Sequence, residues 1–391
     1  MAAMSGRHLR SFLRTAFSVT LLTGAVLYTI IVLSDTSLIL SRNNLQRKFF
    51  DNRENAKVPE DLKYRWLVKR NFLPNFYTRS TDQPNFSRWP PDQIYANSTI
   101  VFVHNQKSGG STAKNCLKDI MKFYGHEQPL LAANPNAEEF FAQMLKDGPG
   151  QDLARSYMGD STFGICDFTD KPCSYFTVLR DPYERVISSH NMCKLTEDQA
   201  QCIVRNATEL SLKEWALHQG SFFFRQLLAN PLFFTKEYTK LIDKLRGPED
   251  PPTEKIPPWW RIELILNKMM DEKQKMVALQ YILDNLESWF AVIGLTDEYD
   301  TNLILFERAF GLPFYSRCAG DMSNKRQYKL AGQNPQTSRQ DVVAQLHREL
   351  NRDPDVNRAL YYDVKIYRKA RDIFQRQKTA FNLMLDETAH F

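Results

Sequence analysis

Val101-Phe102-Val103-His104-Asn105-Gln106-Lys107-Ser108-Gly109-Gly110-Ser111-Thr112 passes from an apolar run through paired glycines into hydroxyl residues. The run reads as a buried strand, the glycines as a sharp turn, and Ser111 as the start of a helix. A strand that feeds a helix through glycines turns backbone N–H groups toward the helix N-terminus, where unpaired donors and the dipole favour an anion. Lys107 adds a mobile positive charge, and Ser108, Ser111 and Thr112 add hydroxyls. The lysine precedes the glycines, whereas in the nucleoside-triphosphate loop Gly-x-x-x-x-Gly-Lys-Ser/Thr it follows them. The stretch predicts a phosphate cradle and argues against ordinary ATP hydrolysis.

The same strand-to-helix pattern recurs in Ser174-Tyr175-Phe176-Thr177-Val178-Leu179-Arg180-Asp181-Pro182-Tyr183-Glu184-Arg185-Val186-Ile187-Ser188. Proline suits the first turn of the helix, Arg180 stands at the strand end, and Ser188 lies two helical turns further on. Taken together, the two stretches resemble the phosphosulfate-binding motifs of sulfotransferases that use 3'-phosphoadenosine 5'-phosphosulfate (PAPS). Those motifs read Pro/Gln-Lys-Thr/Ser-Gly-Gly-Thr/Ser-Thr/Ser on the 5' side and Arg-Asp-Pro-x-x-Arg-x-x-Ser on the 3' side. The closest likeness is to the Golgi membrane-bound carbohydrate sulfotransferases, the group that includes the glycosaminoglycan 2-O- and 6-O-enzymes. It extends weakly to Phe290–Tyr299 and Asn357–Tyr361, so it covers roughly residues 99 to 375, with high specificity only in the two motifs.

The resemblance implies a PAPS-dependent transfer of a sulfuryl group to a carbohydrate hydroxyl. Lys107, Ser108, Gly109, Gly110, Ser111 and Thr112 would hold the 5' phosphosulfate, and Arg180 and Ser188 the 3'-phosphate. Lys107 would also be catalytic, because charge builds up on the departing phosphate in a loose, in-line transition state. No metal is expected, and the acceptor would be a polyanionic glycosaminoglycan.

The acceptor hydroxyl needs a base, and here the chain departs from its relatives. They carry Gly-His-x-x-Phe-Gly before the 3' motif, whereas this chain reads Gly159-Asp160-Ser161-Thr162-Phe163-Gly164. Asp160 is therefore the expected base, since a carboxylate of suitable pKa serves that step. Asp167, Asp170 and His190 compete by sequence proximity, and His104 is expected to be structural. The departure keeps open a lumenal protein that binds PAPS or glycan without turnover. A Golgi glycosyltransferase is a weaker alternative, because the Asp-x-Asp spacing of Asp353-Pro354-Asp355 reads better as a helix start.

Thr15 to Ser34 is uncharged and apolar, and at about 1.5 Å per residue it is long enough to cross roughly 30 Å of hydrocarbon. Arg7, Arg10 and Arg14 precede it without an acidic residue, which favours a cytosolic tail at 1–14 and a single-pass anchor with the remainder in the Golgi lumen. Residues 35–97 read as a stem whose aromatic distal part packs on the catalytic domain that follows from 98. Sequons at Asn85, Asn97 and Asn206 agree with a lumenal location.

By the resemblance, Cys193 pairs with Cys202. Cys166 and Cys173 are a second close pair, and Cys116 and Cys318 are candidates for buried thiols. A net charge of +6 suits anionic ligands but equally describes an ordinary basic surface. Within it Arg225, Lys236, Lys240, Lys244 and Arg246 are either acceptor contacts or the wet face of an amphipathic helix. Trp259 and Trp260 either stack on sugar rings or pack, and the Asn324-Lys325-Arg326 loop either closes over the nucleotide or is a solvated turn. Strands at Thr99–His104, Tyr175–Leu179 and Phe290–Leu295, separated by helical stretches, predict an α/β fold. The expected form is a P-loop-like three-layer sandwich on a parallel sheet, with a helical C-terminal part around Gln340 to Gln377.

Overall fold

The computed structural model describes residues 72–78, 94–127, 129–131, 137–148, 150–151, 153–196, 202–229, 236–248, 250–252, 256–319 and 339–381. All of them belong to the compact unit Val58–Phe391. The expected span at 15–34, Asn85 and the Asn324–Arg326 loop lie outside the described residues. No described helix is long and apolar enough to cross a membrane.

The fold is α/β, with every strand of the sheet parallel. In chain order the strands are β1 (Thr99–Val103), β2 (Leu130–Leu131), β3 (Ser156–Gly159), β4 (Cys173–Leu179) and β5 (Phe290–Leu295), arranged β2-β3-β1-β4-β5. The four longer strands are buried along their whole length, and β1, β4 and β5 accordingly read as largely apolar runs instead of alternating patterns. The short β3, with only Tyr157 and Met158 as apolar residues, and the two-residue β2 gave no strand signal in the sequence.

Helix α1 (Gly110–Phe123) follows β1 and buries Ala113, Leu117, Ile120 and Met121. Then come α2 (Ala137–Asp147), α3 (Pro182–Cys193), α4 (Leu212–Gln219), α5 (Phe222–Leu228), α6 (Lys236–Leu245), α7 (Pro258–Met269), α8 (Glu272–Trp289), α9 (Tyr299–Phe310) and α10 (Phe314–Cys318). The helical C-terminal part is broken into α11 (Arg339–Arg352), α12 (Pro354–Ala359) and α13 (Tyr361–Ala380). Asp353 makes the break, its carboxylate accepting from the N–H groups of Asp355 and Val356 ahead of Pro354. Lys213 bridges Asp353 and Asp355 at 2.7 and 3.3 Å, so the Asp-x-Asp spacing is a helix start with its own cation.

Edge strand β5 has its outward backbone groups met one by one. Ala291 O accepts from Phe76 N, the Gln377 amide pairs with both N–H and C=O of Ile293, and the Asn302 amide does the same for Leu295. Alternate residues of a strand face the same edge, so these caps remove the template an open edge would offer. Phe76 belongs to the segment 72–78 of the expected stem, which packs as a further chain beside the sheet, with Leu73 N donating to Cys173 O at 2.8 Å.

Three disulfides close the cysteine set. Cys193–Cys202 and Cys166–Cys173 form as the spacing allows, but Cys116 and Cys318 are also bonded, not buried thiols. This third bridge has a packing cause: α10 lies against α1 and brings the two Cα atoms to 5.7 Å across 202 residues of chain.

Candidate functional site

Register assembles the site. Val103 lies opposite Gly159 on one side and Thr177 on the other, so the residues leaving β1, β3 and β4 emerge side by side at the carboxyl end of the sheet. From β1 the chain goes to β2 on one flank, and later β3 connects across β1 to β4. The ends of these strands are therefore where the order reverses and where a crevice forms in open parallel sheets. Lys107, Asp160 and Arg180 all leave the sheet there.

The loop after β1 is built by its backbone. Lys107 takes φ 67° and Gly109 φ 75°, both left-handed, which turns the chain back over the strand end. For a lysine this conformation is uncommon and is held by its surroundings. Ser108 is buried, with its N–H directed to Asn105 O at 3.3 Å and its hydroxyl to Asn105 Oδ1 at 2.8 Å, so it braces the loop from inside. Helix α1 starts at Gly110 with no side-chain cap and no acidic residue in its first turn, so no carboxylate of that turn offsets its N-terminal field. Ser111 is exposed there and Thr112 half-buried. A Cβ on Gly110 would fall 1.9 Å from Cδ2 of His104, so the glycine lets the imidazole lie beneath the helix start. His104 is held neutral there, its pKa lowered to about 3 by burial, with Lys114 and Lys107 adding to the effect. This is the structural role expected of it.

Arg180 ties the two motifs together. Its guanidinium pairs with Glu184 at 3.0 Å and donates from Nη1 to the backbone carbonyl of Lys107 at 3.4 Å. Lys107 Nζ lies 3.0 Å from Met192 Sδ on α3, and burial, reinforced by Arg180, lowers its pKa to about 8. Asp181 caps α3 by accepting from the N–H groups of Tyr183 and Glu184, with Pro182 in the first turn. Ser188 stands half-buried on the same helix.

Asp160 directly follows β3. Gln106 donates to its Oδ2 at 2.8 Å and Ser161 lies 3.4 Å from Oδ1. Desolvation pushes its pKa up, opposed by the hydrogen bonds and by the charge of Lys114 on α1. The Gln226 amide donates to the carbonyls of Asp160 at 2.7 Å and His104 at 3.0 Å, fixing the ends of β3 and β1 to α5. No role is read from the sequence for Gln106, Lys114 or Gln226. Only Gln106 had a usable signal, its place beside Lys107, while Gln226 is hidden in the apolar run Phe222–Leu228.

The competing bases are positioned elsewhere. Asp167 and Asp170 precede β4 at its amino end, where Cys166 is bonded to Cys173, the first residue of that strand. His190 Nε2 engages the carbonyls of Ala207 and Leu210 and is buried against Trp215. Arg225 is no free acceptor contact: it is buried, pairs with Glu263 at 2.6 Å and lies over the rings of Phe222 and Trp259. Trp259 is itself buried, and Trp260 packs on His218 while its indole N–H bonds Asp250 at 3.0 Å, so both tryptophans pack. On α6, Lys240 and Lys244 are exposed opposite a buried Ile242, the pattern of a wet amphipathic face.

No family model matches this chain, and no curated protein matches it either.

Proposed function

We propose that the chain is a PAPS-dependent carbohydrate O-sulfotransferase with a P-loop-like three-layer sandwich fold. The observation that carries the reading is the contact between the two phosphate-directed stretches: Arg180 of the second donates to the Lys107 carbonyl of the first, with Asp160 leaving the neighbouring strand. In this reading the 5' phosphosulfate lies across the start of α1, with Lys107 and the amides and hydroxyls of the loop around it, and Arg180 and Ser188 take the 3'-phosphate. The acceptor oxygen forms a bond to sulfur as the bond from sulfur to the 5'-phosphate oxygen breaks, leaving adenosine 3',5'-bisphosphate. Asp160 removes the hydroxyl proton, and its raised pKa makes its ionised form a stronger base than an exposed aspartate.

The acceptor is a polyanionic glycosaminoglycan, and the enzyme works in the Golgi lumen behind a single N-terminal anchor. The test is transfer of labelled sulfate from PAPS to a panel of desulfated glycosaminoglycans, with Lys107→Ala and Asp160→Asn alongside. Transfer by the wild type, lost in both variants while Asp160→Asn still binds the bisphosphate product, is the expected result. Binding of that product without transfer to any acceptor would make the chain a binding protein instead.

A further inference from the structure

Beside the proposed donor site, a cleft is lined by Asn105, Arg180, Arg185, Phe223, Asp363 and Tyr367. Its polar lining is unequal in kind. Asn105 is buried, its Oδ1 is taken by Ser108, and its Nδ2 has no partner. Arg185 is buried as well: Nη2 donates to Gly220 O at 3.1 Å, whereas Nη1 and Nε make no hydrogen bond. The one carboxylate, Asp363, is 4.0 Å from Nε and already accepts from the N–H groups of Phe223 and Phe224 at 3.1 and 2.8 Å. Two buried side chains that carry unmet donors thus line one cleft together with Arg180. A buried donor without an acceptor is unfavourable, so this lining is matched to a group that brings oxygen lone pairs and negative charge.

We infer that Asn105 and Arg185 form an oxyanion subsite next to the sulfuryl-transfer centre. The deep part of the cleft has room for about one water-sized group, which suits one oxygen of a carboxylate or sulfate ester better than a whole phosphate. The inference rests on the sulfotransferase reading and names its substrate more closely: an acceptor whose anionic group sits beside the hydroxyl that is modified. The 3'-phosphate of the donor is the other source of the same chemistry.

Arg185→Leu would break a buried ion pair and confound binding with stability, so the test uses Asn105→Asp, which keeps an oxygen for Ser108 and replaces the unmet donor by negative charge. Full-length protein in detergent micelles is titrated calorimetrically with adenosine 3',5'-bisphosphate, with a uronate-containing oligosaccharide and with its carboxyl-reduced counterpart. The expected result is that wild type prefers the uronate form by tenfold or more and that Asn105→Asp abolishes the preference, while bisphosphate affinity changes by less than that preference. A tenfold loss of bisphosphate affinity in Asn105→Asp, with no saccharide preference in either protein, keeps the subsite and assigns it to the donor. Equal bisphosphate affinity and no saccharide preference overturns it. Wild-type protein that fails to bind the bisphosphate overturns the sulfotransferase reading instead, and the saccharide comparison still decides the subsite.

Discussion

A methyl group on Gly110 would lie 1.9 Å from Cδ2 of His104 and 2.1 Å from Nε2, closer than any side-chain contact allows. The His104 ring lies beneath the helix start, so the added methyl would have to displace it. Gly110→Ala is expected to lower the unfolding free energy by about 1–3 kcal/mol and to weaken binding of adenosine 3',5'-bisphosphate, measured by denaturant melts and calorimetry. At the same scale, pH should act on the site from two sides. Asp160 is a base only when ionised, and burial raises its pKa, so the rate climbs as pH rises through that raised value. Lys107 attracts phosphate only when protonated, and its pKa is lowered to about 8, so bisphosphate affinity falls as pH rises through 8. The rate profile should be a bell. A Lys107→Arg variant should keep bisphosphate affinity level above pH 8, and an unchanged decline there would detach the effect from Lys107.

Among the elements, α3, α5 and α13 meet on the buried ion pair of Arg185 with Asp363, and Asp363 also holds the first amides of α5. Removing one partner leaves the other charged and enclosed. Asp363→Ala should therefore cost about 3–5 kcal/mol in a urea melt, and a loss below 1 kcal/mol would mean that the pair relaxes to water. The link between α1 and α10 is covalent. Cys116–Cys318 closes a far longer loop than Cys193–Cys202, with separations of 202 and 9 residues. In the chain-entropy account, replacing the first pair by serine should destabilise by about 5 kcal/mol, more than replacing the second, with thermal and denaturant melts as the comparison.

For the whole molecule, every cysteine is bonded, so denatured but unreduced protein should give no reaction with a thiol reagent. One or more free thiols per chain in that assay would break at least one of the three bridges. Because Cys116–Cys318 joins distant parts of the chain, reductant should lower the melting temperature of the intact protein, and the bonded set fits an oxidising compartment.

What the sequence determined by itself was local. Strands at Thr99–His104, Tyr175–Leu179 and Phe290–Leu295, each followed by a turn and helix signals, are visible because a strand buried on both faces needs largely apolar residues. The glycine loop, the Asp181–Pro182 helix start and the short-range cysteine pairs are legible for the same reason, since each rests on neighbours in the chain. Tertiary structure decided everything that depends on which surfaces meet. Strand register set Asp160 beside the Lys107 loop, and β3 is too short to announce itself in the sequence. Packing of α10 on α1 turned two apparent thiols into a bridge, and enclosure by Glu263, Phe222 and Trp259 withdrew Arg225 from the list of ligand contacts. Gln226 acquired its place because α5 brings its amide to the ends of two strands far away in sequence, a proximity that no local spacing encodes.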